Sequence, residues 1–263
     1  SLSDIGNVYN LTDGMVPPET RFDSGRFSNG KVWVDELAAM LRLKREGFFP
    51  SLDPRFEIGP GGGSYAYGAS GTDFANGTPL SQLFPVSVPV VGLLGQVEEF
   101  ALDIGSTQAD QRALYIVWSG ANDYLLAGIP GSNIPFPPNP YATVEKIHSA
   151  AERLHELGAK HILVLNMPDL SNTPIAAALD QQTPGVRERL RNLTNAHNTL
   201  LRQGMESLDT TSEDLRLYYL DVFSLFEVID TYPAGFGFSN TFTDPGPAAN
   251  CLIQISSEPQ DCD

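Results

Sequence analysis

Positive charge, histidine and cysteine are all scarce in this chain. Its 263 residues include 16 Lys and Arg against 32 Asp and Glu, with 4 His and 2 Cys. The net charge of −16 repels phosphate backbones and anionic headgroups. No basic stripe interrupts that acidity, so a nucleic-acid partner is excluded. No apolar run is long enough to span a bilayer, so stable membrane insertion is not expected. The four histidines lie at no metal-ligand spacing, and a metal-dependent phosphoesterase would need clustered carboxylates and histidines. Neither a metal nor another cofactor is therefore expected. The glycine-rich stretch GGGSYAYGASGTDF (61–74) lacks the lysine that follows the glycines of a phosphate loop. That removes the main support for a flavodoxin-like carrier of a phosphorylated ligand. The two cysteines, Cys251 and Cys262, lie close together. Such a pair is compatible with one disulfide and an exported protein, and also with two unpaired thiols. Three Asn-x-Ser/Thr sequons begin at Asn10, Asn76 and Asn192; they matter only in a eukaryotic secretory pathway.

What is present is alternation without repeats. Hydrophobic residues make up 41% of the chain and charged ones 18%, enough apolar material for a sizeable core. VWVDELAAMLRL places Trp33, Leu37, Met40 and Leu41 at helical spacing, after an Asn29–Gly30 turn. VGLLGQVEEFALDI predicts a second helix, and ALYIVWS (113–119) a buried strand. YATVEKIHSAAERLHELG puts Val144, Ile147, Ala151 and Leu154 on one helical face, with Gly158 as its C-terminal stop. HILVLNM predicts a strand, VRERLRNLTNAHNTLLRQGMESL a long helix, LRLYYLDV a strand and FSLFEVI a short helix. Loops rich in Gly, Pro and Asn cover 50–64, 125–140 and 232–250. Continuous apolar strands alternating with helices predict an α/β fold, a parallel sheet covered on both faces. No linker divides the chain, so one domain is expected.

In such folds the chemistry sits in loops after the strands. In IVWSGANDYL the chain turns outward at Gly120-Ala121-Asn122-Asp123. The Asn122 amide is a neutral donor that can stabilise a developing oxyanion, although an ordinary Gly-Asn turn has the same spacing. The glycines of 61–74 allow backbone N–H groups to approach a ligand closely.

Taken together with the opening SLSDIGN, these segments resemble the GDSL (SGNH) family of serine esterases and lipases. In that family Gly-Asp-Ser-Leu-Ser-Asp-x-Gly-Asn follows the first strand. Ser1 matches the nucleophile, whose own N–H also contributes to the oxyanion hole, and Asp4, Gly6 and Asn7 match the rest of the block. GRFSNGKVWVDELA (25–38) is similar to the family's tight turn into a helix. SYAYGASGT resembles the second block, Asn-Phe-Ala-x-Gly-Gly-Ala, with Ala69 at the second glycine, so the oxyanion N–H is that of Gly68 or Ala69. GAND matches the third block, with Asn122 as side-chain donor beside Gly120 and Asp123. VLNMPDLSNTP resembles the Pro-Asp-Leu-Gly segment, with Ser171 where glycine is usual. The resemblance covers nearly the whole chain and is closest to the branch of lecithinase/haemolysin-like and plant-type lipases.

The resemblance implies a single three-layer α/β/α SGNH hydrolase domain over 1–263, flavodoxin-like in topology. The first strand and the C-terminal Asp-x-x-His block would lie outside the sequence. It implies acyl transfer. Ser1 attacks the carbonyl of a small-molecule, lipid or acylated-sugar ester. The oxyanion is held by Ser1, Gly68 or Ala69, and Asn122, and the protein is secreted or otherwise exported. A catalytically inactive binding module is the alternative. Ser3 is expected to bond local backbone. None of the four histidines is expected to be the base. His148 and His155 suit solvated or helix-end roles, His161 sits at the amino edge of the sheet, and His197 lies in a helix interior away from the carboxyl edge.

Overall fold

The computed structural model describes residues 3–20, 22–43, 47–59, 61–82, 84, 86–212 and 214–238. Ser1, Cys251 and Cys262 therefore lie outside the described residues, and with them the expected nucleophile and the expected cysteine pairing.

The elements in chain order are α1 (Asn7–Leu11), α2 (Trp33–Met40), β1 (Phe49–Pro50), β2 (Gly63–Ser64), α3 (Leu93–Ile104), β3 (Leu114–Val117) and α4 (Ala121–Leu125). Then follow α5 (Pro140–Glu156), β4 (His161–Leu165), α6 (Pro174–Gln182), α7 (Val186–Thr211), β5 (Arg216–Leu220) and α8 (Val222–Thr231). All strand pairs within the sheets are parallel. β1 pairs with β2, and β3, β4 and β5 form a second sheet in that order. Leu114 lies opposite His161, and His161 opposite Arg216, so all three strands start level at the amino edge.

Helices α3, α5 and α7 cover one face of β3–β5. Val144, Ile147, Ala151 and Leu154, the predicted stripe of α5, are all buried there with Val97, Val164, Leu201 and Met205. That stripe recurs at helical spacing because a helix returns to the same face every 3.6 residues. The helix stops where expected. Gly158 takes φ +112, its N–H donates to the His155 carbonyl, and the Ala159 N–H donates to the Leu154 carbonyl. This paired closure needs a left-handed residue, which glycine supplies without steric conflict. Leu114, Leu163 and Tyr218, with Arg112 and His161, line a groove among the strands.

Five of these elements, α1, β1, β2, α4 and α6, are not predicted by the sequence. The short pair β1–β2 brackets the predicted loop 50–64 and is too brief to show alternation. The segment 174–182, unassigned from the sequence, is helix α6, entered by a Thr173 cap whose side chain accepts the Ala176 N–H. Among the described residues no helix is long and apolar enough to cross a membrane.

Candidate active site

The parallel strands end together, and the turns after them are tied to one another. The Trp118 Nε1–H after β3 donates to the Asn166 carbonyl after β4 at 3.1 Å. The Asn166 amide in turn donates to Asp221 after β5 at 2.8 Å. Trp33 packs edge-on against Trp118, with centroids 5.9 Å apart, and its Nε1–H donates to Ser3 Oγ at 3.2 Å. The opening segment of the chain is thus at the carboxyl edge. Ser3 bonds a distant side chain there, not the local backbone its sequence context predicted. Its carbonyl also accepts the Ser64 hydroxyl at 3.3 Å.

Asp4 is the hub of the opening turn. Its carboxylate is wholly buried and accepts the N–H groups of Gly6, Asn7 and Val8, and that of Gly68, 64 positions away, at 2.7 Å. Burial pushes its carboxyl above the usual carboxylate range, while the bonds from Gly6, Gly68 and Asn7 pull the other way. Gly6 adopts φ +138, a conformation that favours glycine. Asn7, also fully buried, donates its amide to the carbonyls of Ser64 and Ala66 and accepts the Leu52 N–H. Gly68 has no room for a side chain, because a Cβ there would run into the Phe27 ring.

The same loop is gripped from its other side. The Asn122 Nδ2 donates to the Ser70 carbonyl at 2.7 Å. Asp123 is buried and accepts both the N–H of Thr72 and, at 2.6 Å, its hydroxyl. Burial raises the Asp123 carboxyl, against the opposing pull of the Thr72 bonds. Asn76 closes the loop on itself, accepting the Gly71 N–H and donating to the Ala69 carbonyl at 2.7 Å. That role, with only 2% exposure, makes the Asn76 sequon an interior structural residue.

The two candidate backbone donors now differ. The Gly68 N–H is committed to Asp4. The Ala69 N–H meets no acceptor among the described residues, and Ala69 itself holds φ +62, in the left-handed region. The geometry therefore leaves open the Ala69 N–H, on a short stretch anchored from both sides, and the second hydrogen of the Asn122 amide that grips that stretch.

The histidines divide. His148 faces Glu152 at 3.2 Å on one helical face. His155 at the end of α5 bonds the Ala159 carbonyl and faces Asp214, which Lys160 also reaches. His161 stacks on Tyr218 at the amino edge. His197 departs from expectation. It does reach the carboxyl-edge turns, because α7 carries it against Gly120, and it is fully buried. Its Nδ1 bonds the Tyr124 hydroxyl at 2.9 Å. Burial alone pushes its pKa down to about 4, so the ring is neutral at pH 7 and a weak base. Tyr232, Phe236 and Phe238, the described aromatics of the loop beginning at 232, are exposed.

The low His197 pKa has a measurable consequence. Above the ordinary histidine range neither the folded nor the unfolded ring is charged, and its stabilising contribution is complete. Between about 6.5 and 4 the unfolded ring takes a proton that the folded ring refuses. Stability is lost through that window, by about 3 kcal/mol in all. Denaturant unfolding at a series of pH values should show the gap between parent and His197→Phe narrowing by that amount as pH falls from 7 to 4. A constant gap would mean that the ring titrates normally.

The sequence profile of the GDSL-like lipase/acylhydrolase family matches residues 1–247. Among similar proteins, the phosphatidylcholine-sterol acyltransferase of Aeromonas hydrophila is 30% identical over 241 residues, covering 92% of this chain and 62% of that protein. The GDSL esterase/lipase At1g29670 of Arabidopsis thaliana is 27% identical over 231 residues, covering 83% and 62%. The secreted effector protein SseJ of Salmonella typhimurium is 24% identical over 249 residues, covering 94% and 51%. The chain thus spans about three fifths of the first two relatives and half of the third.

Proposed function

The chain belongs to the GDSL-like lipase/acylhydrolase family, whose fold is the three-layer α/β/α SGNH arrangement, and on that premise we propose that it cleaves carboxylic esters through an acyl-enzyme on Ser1. The observation that carries this reading is a pair of open donors, the Ala69 N–H in a doubly anchored loop and the Asn122 amide that grips that loop from α4. Donors fixed before the reaction stabilise charge on a tetrahedral intermediate without reorganising. The Gly68 N–H serves this chain differently, holding the opening turn through Asp4.

In the reaction, Ser1 Oγ attacks the ester carbonyl and loses its proton to a histidine. The carbonyl oxygen becomes the oxyanion, held by the N–H groups of Ser1 and Ala69 and by Asn122. Collapse breaks the bond to the leaving alcohol, which takes the proton. Water then repeats the sequence on the acyl-enzyme and frees the acid and Ser1. The histidine belongs to an Asp-x-x-His block, which none of His148, His155, His161 and His197 forms. The substrate is a small-molecule or lipid ester, and no metal or other cofactor takes part. One SGNH domain over 1–263 and export of the protein complete this reading; the latter draws support from the Salmonella relative named as secreted. A disulfide between Cys251 and Cys262 fits the same setting.

The test is a fluorophosphonate label on the full-length protein. It should modify Ser1 and disappear in Ser1→Ala, alongside hydrolysis of p-nitrophenyl butyrate by the parent. Labelling that survives Ser1→Ala would reject the assignment, and absence of both labelling and turnover would favour an inactive binding module. A second reading, transfer of the acyl group to an alcohol instead of water, is favoured by the identity with the Aeromonas acyltransferase. An ester product formed with an added alcohol would identify it.

A further inference from the structure

Among the described residues, two buried side-chain polar atoms lack any hydrogen-bond partner, Ser119 Oγ and His197 Nε2. Both adjoin Gly120. Ser119 precedes it, and a Cβ built on Gly120 would lie 2.7 Å from His197 Cε1 and 3.4 Å from each ring nitrogen. Unsatisfied buried polar groups are uncommon and carry a cost, so two at one turn call for an explanation. This turn delivers Asn122. Gly120 holds φ +115 as the N-cap of α4, a conformation open to glycine, and the imidazole fills the space where a side chain would otherwise project. The ring also bonds the Tyr124 hydroxyl and meets the phenol edge-on, with centroids 5.7 Å apart at 87°. Tyr124 sits two residues beyond Asn122 in α4 and is buried among Met167, Leu170 and Leu190. The brace thus grips α4 both before and after Asn122.

We infer that His197 is a positioning residue for the oxyanion donor, fixing the Asn122 amide by bracing Gly120 and holding Tyr124. The role suits the helix that supplies it. α7 runs for 26 residues and packs along α5, so the ring is presented from a rigid support. A neutral ring suits it too, since a charged one would be stranded without solvent. An apolar residue of similar size would fill the space as well, but would remove the bond between the ring and the Tyr124 hydroxyl, leaving that hydroxyl to Thr143.

The inference rests on the proposed role of Asn122, and a double-mutant cycle separates the two. Turnover of p-nitrophenyl butyrate by the full-length protein would be compared for the parent, Tyr124→Phe, Asn122→Ala and the double variant. Tyr124→Phe should lower kcat on the order of tenfold at unchanged KM, since a small displacement of a catalytic donor is costly. In the Asn122→Ala background the same change should alter kcat less than twofold, because no amide remains to be positioned. His197→Phe should repeat both results. An equal drop in both backgrounds, or no drop in the parent, would overturn the role of His197. If Asn122→Ala itself left kcat unchanged, the oxyanion assignment would fall first, and this inference with it.

Discussion

Asn122→Ala should lower kcat by on the order of 10²–10³ while KM stays within about twofold of the parent. The amide is used when the carbonyl oxygen becomes an oxyanion, so its loss raises the barrier without weakening ground-state binding. The structure adds a constraint to this expectation. One amide hydrogen is spent on the Ser70 carbonyl at 2.7 Å, and that bond aims the other. Alanine removes both, so the loop beside it loosens slightly as well. Asp123, which binds Thr72 through two bonds, keeps the loop attached in the variant. The loss should therefore appear in turnover and only weakly in stability. Steady-state kinetics together with thermal unfolding decide the matter. A change confined to KM, or a large loss of stability with kcat preserved, would make Asn122 a turn residue only.

The second large effect is expected at Asp4. Its carboxylate gathers four backbone N–H groups in a site with no exposure. In Asp4→Ala these donors lose their acceptor, and buried donors left unmade are more costly than the bonds were favourable. Denaturant unfolding should show a loss of at least about 3 kcal/mol. Asp4→Asn should be milder. It keeps one oxygen for the Gly6 and Asn7 donors and removes a charge that burial already penalises, but it turns an amide toward the Gly68 N–H. The released Gly68 segment carries Ala69, so activity should fall in Asp4→Asn more than stability does. Stability within about 1 kcal/mol of the parent in Asp4→Ala would show that water reaches the four donors and that Asp4 is no hub.

Much of this molecule follows from short-range pattern. α5 is legible because Val144, Ile147, Ala151 and Leu154 recur at the helical period and Gly158 supplies the one conformation that ends it. β3, β4 and β5 are legible as short apolar runs bounded by turns, although β4 is the mainly buried one and β5 alternates between exposed and half-buried residues. The opening SLSDIGN, the SYAYGASGT loop and GAND are legible as blocks, since each needs particular residues within a few positions, and the family match over 1–247 includes all three.

What the chain alone left undecided are the relations between blocks. Gly68 and Ala69 are equivalent candidates until Asp4, 64 positions earlier, takes one N–H and leaves the other. Asn76 reads as a glycosylation sequon until its amide is found closing its own loop inside the protein. His197, in a helix of mostly polar residues, gives no sign that it will be buried against a glycine 77 positions away. β1, β2 and α6 are too short or too weakly patterned to register. The physical reason is the same in each case. Periodicity and turn chemistry act between neighbours along the chain and fix which face or conformation a residue takes. A hydrogen-bonding group's partner is fixed only when packing brings distant segments within about 3 Å, and only the tertiary structure decides that.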